Sequence, residues 1–338
     1  MLACILLVST LAVAATREPP PAAGMYSLSQ MQDYLIHIDG NGTNKTIGKV
    51  DLGQQFNPIG PQLSTIWEDT ATMYVLALNK TDGVETSIVG ISLADASITG
   101  VFQTPLLQNS VEIGVGMTID AYGKHGLVIS GIDTATQKHT AYIIDPSKGH
   151  AVQKLSEGFL AGAEGLLDAP HCFDVVSSTY WLMSPAKNYS VSGLFDLVAI
   201  DLTKGTETAR RTLPAAQMVH AMEHDPHTGD IVALGLDAAT FKPYAFTIET
   251  SSFQPTILAG FDAYSVSNGI SAWDPLRRTI YGMAFASKTD IYPVLVSYSL
   301  TSNATTKTAL CQGATHRGCD SPFNIDYFTG ALYSFVEG

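Results

Sequence analysis

The chain has 338 residues, 46% of them hydrophobic and 14% charged, enough apolar side chain for a sizeable core. A formal net charge of −13 repels phosphate and argues against nucleic acid or an anionic membrane as partner. With 29 Gly, 16 Pro, 14 Tyr and 13 Phe, the composition is that of an all-β protein with many tight turns.

The first element is MLACILLVSTLAVAA, residues 1–15, an apolar run too short to span a bilayer and ending in the small residues Ala12-Val13-Ala14. Although it has no Lys or Arg at its start, it reads as a secretory signal peptide, which leaves residues 25–338 as one soluble extracellular domain. Sequons at Asn41, Asn44, Asn79, Asn188 and Asn303 fit that address as N-glycosylation positions, each expected in a turn. Cys311 and Cys319 bracket the short polar loop CQGATHRGC and are expected to form a disulfide. Cys172, in the apolar run HCFDVV, reads as a buried free thiol.

Two strands follow, DYLIHID (33–39) and KTIGKVDL (45–52), and then a repeat. Asp69, Asp120, Asp174, Asp225, Asp274 and Asp326 recur at intervals of about fifty residues. Seven positions beyond each stands an apolar or aromatic residue: Leu76, Leu127, Trp181, Val232, Tyr281 and Tyr333. HDPHTGDIV (224–232) is the clearest copy, with WDPLRRTIY (273–281) and IDYFTGALY (325–333) as looser ones. The chemistry is that of a tight turn: Asp accepts hydrogen bonds from its own turn, Pro presets φ, and Gly takes a left-handed conformation. Flanking runs such as IVALG and VLVSYSL are strands.

Each unit is then four antiparallel strands, a sheet that cannot bury both faces alone and must pack against its neighbours. Residues 322–336 supply two strands and residues 33–52 the other two, so both termini complete one composite sheet. A β-sandwich pair with chance Asp-Pro turns is the competing architecture. On the turn Asp225-Pro226-His227-Thr228-Gly229 and its repetition, residues 25–338 resemble the six-bladed β-propellers as a superfamily. The marks of its better-defined families are absent. Tyr180-Trp181-Leu182-Met183 is a single echo of the repeated Tyr-Trp-Thr-Asp motif, Asn-His-Leu is not repeated, and Trp273-Asp274 does not sit where the WD-repeat dipeptide sits.

That resemblance implies that the loops entering the innermost strands gather at one mouth of a central channel. Polar residues near those strands are Glu112, His171, His220, Glu223, Asn268 and Asn324, the candidate ligand-binding set. Gluconolactonase and paraoxonase-like propellers hold calcium there with Glu, Asn and Asp. Glu112, Glu223, Asn268 and Asn324 could supply such oxygens, or could instead satisfy backbone groups and channel water. HAMEHDPH (220–227) has three His and a Glu, but a strand entering a turn lacks the helical spacing that zinc-binding His-Glu-x-x-His needs. No nucleophile has an evident base, so catalytic residues are not identifiable. The expectation is an extracellular binding module for a protein or small ligand, monomeric, with no cofactor assigned unless calcium occupies the pore. The alternative is a Ca-dependent hydrolase of lactonase or esterase type.

Overall fold

The computed structural model describes residues 24–29, 34–38, 44–52, 56–58, 63–67, 70–79, 85–107, 118–121, 126–133, 135–136, 139–146, 151–157, 170–174, 176–186, 195–214, 217–237, 240, 242–274, 277–285, 287–288, 294–309 and 328–333. Among them the chain is all-β, and no helix is long and apolar enough to cross a membrane.

The strands are β1 (Gly24–Ser29), β2 (Tyr34–Ile38) and β3 (Asn44–Lys49), followed by β4 (Phe56–Pro58), β5 (Ser64–Trp67), β6 (Thr72–Asn79), β7 (Glu85–Ser92) and β8 (Ile98–Leu107). Next come β9 (Thr118–Ala121), β10 (Leu127–Ile132), β11 (His139–Asp145) and β12 (Ala151–Glu157), then β13 (His171–Asp174), β14 (Thr179–Pro185), β15 (Phe195–Asp201) and β16 (Thr206–Thr212). The last are β17 (Gln217–His224), β18 (Ile231–Asp237), β19 (Pro243–Glu249), β20 (Gln254–Ile257), β21 (Ser265–Asp274), β22 (Thr279–Phe285), β23 (Val294–Ser299), β24 (Ala304–Ala309) and β25 (Phe328–Tyr333).

Each sheet is an antiparallel meander running outward from an inner strand: β9–β12, β13–β16, β17–β20 and β21–β24. The inner strands stand side by side, β5 next to β9, β9 next to β13, and so on through β17 and β21 to β25, which also borders β5. This is a propeller-like arrangement.

The turns behave as the aspartates require. Asp174 accepts the amides of Val176 at 2.9 Å and Ser177 at 3.2 Å. Asp225 accepts the His227 amide at 3.0 Å, while Gly229 N–H returns to the Asp225 carbonyl at 2.9 Å. Asp274 accepts the Arg277 amide at 3.0 Å. Four positions after each of these aspartates the chain turns left-handed, at Ser178 (φ 56°), Gly229 (φ 78°) and Arg278 (φ 48°). Only the glycine adopts this without a steric cost of about 1 kcal/mol or more.

The strands read as continuous apolar runs because both of their faces are buried. In β6, Met73, Val75 and Ala77 pack toward Tyr26, Leu28 and Leu35, while Tyr74 and Leu76 pack toward Ile119, Leu127 and Ile129. In β14, Tyr180 and Leu182 face Val128 and Ala141, while Trp181 and Met183 face Met222, Tyr244 and Phe246. Val232 and Leu234 of β18 join Trp273, Ile280 and Tyr298. Among the described residues, five of the six seams between neighbouring sheets therefore have their own apolar cluster.

Two details differ from the sequence expectation. Residues 328–333, read as turn and second strand of IDYFTGALY, are a single strand: Thr329 and Gly330 pair with Leu28 and Ser27 of β1. The sheet order is β25-β1-β2-β3, so within the described residues the C-terminal end supplies one strand, not two, and the N-terminal end supplies three. Gly-x-Tyr-x-Leu pairing along the whole of β1 outweighs the turn preference of Thr-Gly. The sheet of β6–β8 also departs from four strands, because β4 and β5 pair in tandem with opposite ends of β6. Pro58, the last residue of β4, has no N–H to donate to a further rung.

Residues 1–15, Asn41, Asn188, Cys311 and Cys319 lie outside the described residues. Asn303 lies in the exposed turn before β24 (φ 51°), whereas Asn79 closes β6 and Asn44 opens β3, strand ends and not turns.

Candidate functional site

The residues singled out from the sequence concentrate on β13, β17 and β21, three adjacent inner strands. His171 opens β13 half-buried, its ring against Tyr180 with centroids 5.8 Å apart. Cys172 beside it is buried, packed with Trp181 and Met222.

His220 is the extra residue of a β-bulge. The β17–β18 register passes from Val219↔Gly235 to Ala221↔Leu234, leaving His220 without an opposite residue. A bulge inverts the alternation of everything beyond it. Val219 and Met222 consequently share the β13 side, Ala221 faces the β21 side, and the next residues follow in turn.

The consequence for HAMEHDPH is direct. Glu223 points toward β21, where the Ser271 hydroxyl donates to its Oε1 at 3.0 Å. His224, on the opposite side, places Nε2 3.6 Å from Asp174 Oδ2 at the end of β13. Asp225 is 0% exposed. Its Oδ2 accepts Nε and Nη2 of Arg278, at 3.1 and 2.7 Å, from the turn after β21. Three successive residues are thus directed into the two flanking seams, Glu223 and Asp225 bonded toward β21 and His224 buried beside Asp174 without a hydrogen bond to Nε2. The sequence reading found Glu223 and the turn aspartates but not Ser271, Arg278 or the burial of His224, whose side chain it took for a solvated one at the start of the turn. The available signal for Arg278 was an arginine standing where the best turn copy has Gly229.

No described group of three or more His, Cys, Asp and Glu side chains could hold a metal ion. Of the four candidate calcium ligands, only Glu223 has a described side chain, and Ser271 engages it. Glu112 and Asn324 lie outside the described residues. Asn268 was expected in the loop before β21; its backbone is within that strand, and its side chain is not described.

The electrostatics of the β13–β17 seam have a definite sign. Burial lowers the His224 pKa below its ordinary value, against the pull of Asp174, Asp225 and Asp230. Burial works to raise the Asp174 pKa, but the Ser177 hydroxyl, the facing His224 and the turn amides outweigh it and hold the carboxyl below the usual range. A depressed histidine destabilises the folded state as pH falls below the unfolded value of about 6.5, because the unfolded chain binds the proton first. The depressed carboxylate contributes stability above about pH 4 and loses it below. The melting temperature is expected to fall as pH drops from 7 toward 5, and His224→Gln to flatten that part of the profile while leaving the steeper loss below about pH 4. Thermal melts of both proteins across the range check this.

No known family matches the sequence, and no curated protein matches it. Solved structures match in fold. TolB from Acinetobacter baumannii superposes with a TM-score of 0.59 at 11% identity, over 94% of this chain and 68% of that one. A putative TolB from Agrobacterium tumefaciens gives 0.53 at 10% identity, over 86% of this chain and 89% of that one. A puromycin hydrolase mutant complexed with PGG gives 0.50 at 11%, with 87% of this chain covering 47% of that one. At such identities the likeness is one of fold, and it agrees with the propeller-like arrangement of the sheets.

Proposed function

We propose that the chain is a secreted, N-glycosylated six-bladed β-propeller, its ring closed by the composite β25-β1-β2-β3 blade, that serves as an extracellular binding module for a protein or small ligand. The observation that supports it is the use made of the run richest in titratable residues. Glu223 and Asp225 are spent on Ser271 and Arg278 of the neighbouring sheet, and His224 is buried in the seam with Nε2 3.6 Å from Asp174, beyond hydrogen-bond reach. Chemistry that could serve a reaction holds the blades together instead, and recognition falls to the loops entering the inner strands. On those loops Tyr264, 48% exposed just before β21, is a ready aromatic anchor. A Cys311–Cys319 disulfide would tie the loop region ahead of β25.

Expression through a secretory pathway, with and without a glycosidase that removes N-linked sugars, tests the address: a mass loss at Asn303 is expected, and an intracellular, unglycosylated product would refute it. Calcium and chelator are each expected to leave the melting temperature unchanged. Calcium-dependent stabilisation that Glu223→Gln abolishes, together with hydrolysis of lactone or aryl-ester probes, would return the hydrolase reading in place of the binding module.

A further inference from the structure

The outer strands of the described sheets are β3, β8, β12, β16, β20 and β24. An outer strand leaves one row of backbone groups unpaired, and proteins guard such edges with charge, proline or shortness. Lys45 and Lys49 stand on β3, Lys154 on β12, Arg210 and Arg211 on β16 and Lys307 on β24. β20 is four residues long and contains Pro255. β8 is ten residues long, and from Ile98 to Gln103 it has neither charge nor proline; Pro105 comes only near its far end.

The same stretch exposes two β-branched side chains, Ile98 at 37% and Val101 at 44%. Three residues apart in a regular strand, they would face opposite ways. The register prevents that: Ile98 pairs with Ile91, Gly100 with Gly90 and Val101 with Val89, so Thr99 is an inserted residue. Ile98 and Val101 therefore share one face, the face on which Ile91 and Val89 pack toward β1 and β2. Phe102 is buried on the other face, among Ile119, Leu127 and Tyr142.

We propose that the β8 edge is an interface for a second copy of this chain, in place of the monomer expected from sequence: two β8 strands pair antiparallel across a two-fold axis, each Ile98 opposite the other copy's Val101. A two-fold axis sets a strand against itself, so a homotypic edge must be self-complementary. At β3 or β24 it would bring Lys near Lys of the other copy, and at β12 or β16 it would have to match Lys154 with Glu157 or Arg210 and Arg211 with Glu207. At β8 it brings no charge together, despite the net −13 of the whole chain, and each exposed β-branched residue finds its cross-strand partner in the other copy.

Sedimentation velocity of the full chain from low to high micromolar concentration is expected to show a monomer–dimer equilibrium. Val101→Lys and Ile98→Glu should each weaken dimerisation about tenfold or more with the melting temperature of the monomer kept. An equimolar mixture of these two variants should recover association, since the new charges face each other. Thr306→Lys on β24 should change nothing. A parent protein that stays monomeric at high micromolar concentration overturns the proposal, even if the edge accepts a strand from another protein. So does a dimer that survives Val101→Lys, or a variant mixture that fails to recover it.

Discussion

Removal of residues 325–338 is expected to abolish the folded protein. The deletion takes away β25, and with it every backbone partner of β1 on that side, from Gly24 to Ser29. It also strips the inner neighbour from both β5 and β21. Tyr26 and Leu28, both buried, sit on the strand that loses its pairing. Loss of a six-residue ladder, and of the strand that stands between β5 and β21, is large against the 5–15 kcal/mol that separates a typical folded domain from its unfolded chain. Aggregation and failure to be secreted are the expected readouts. A truncated protein with the parent's cooperative melt would show that the pairing of the two ends is dispensable.

The second large effect is expected at the pair between Asp225 and Arg278. Arg278→Ala leaves a fully buried carboxylate without its guanidinium, and breaking such a pair from one side costs about 3–5 kcal/mol when both groups are buried. Arg278 is partly exposed, so about 2–4 kcal/mol is the expected loss in urea unfolding. Asp225→Ala should cost a similar amount because it also removes the acceptor that the His227 amide uses. The double variant should cost clearly less than the sum of the two. Arg278→Gly separates the contributions: it loses the same pair but relieves the left-handed backbone, and should be about 1 kcal/mol more stable than Arg278→Ala. Equal stability of parent and Arg278→Ala would remove the pair from any account of how these sheets are joined.

Much of this architecture was legible. Asp174, Asp225 and Asp274 announce their turns because an Asx turn is local chemistry, contained within four residues. The β6, β10, β14 and β18 runs announce strands buried on both faces because their apolar residues do not alternate with polar ones. What failed was whatever depends on a distant partner. Asp326-Tyr327-Phe328-Thr329-Gly330 has the composition of a turn, yet its second half lies in β25, paired to a strand some three hundred residues earlier. β1 itself, GMYSLS, is short and follows a proline run, so nothing local marked it as the missing strand. The site was harder still. Which seam each of Glu223 and His224 faces follows from the bulge at His220, and that bulge shows only in the pairing of β17 with β18. Ser271 and Arg278 became visible as partners only once β17 and β21 lay side by side.

The pairing of β25 with β1 also has a consequence in time. A ribosome extends a chain by about 5–20 residues per second, so roughly 15–60 s separate the emergence of β1 from that of its last partner. Through that interval β1, β2 and β3 form an incomplete sheet whose open side carries Tyr26 and Leu28. The middle sheets can assemble as they appear, but this first-made piece must wait for the last-made one. Its safekeeping during synthesis falls to whatever chaperone meets the nascent chain, and a stalled or prematurely ended translation product is a species with a permanently unsatisfied strand.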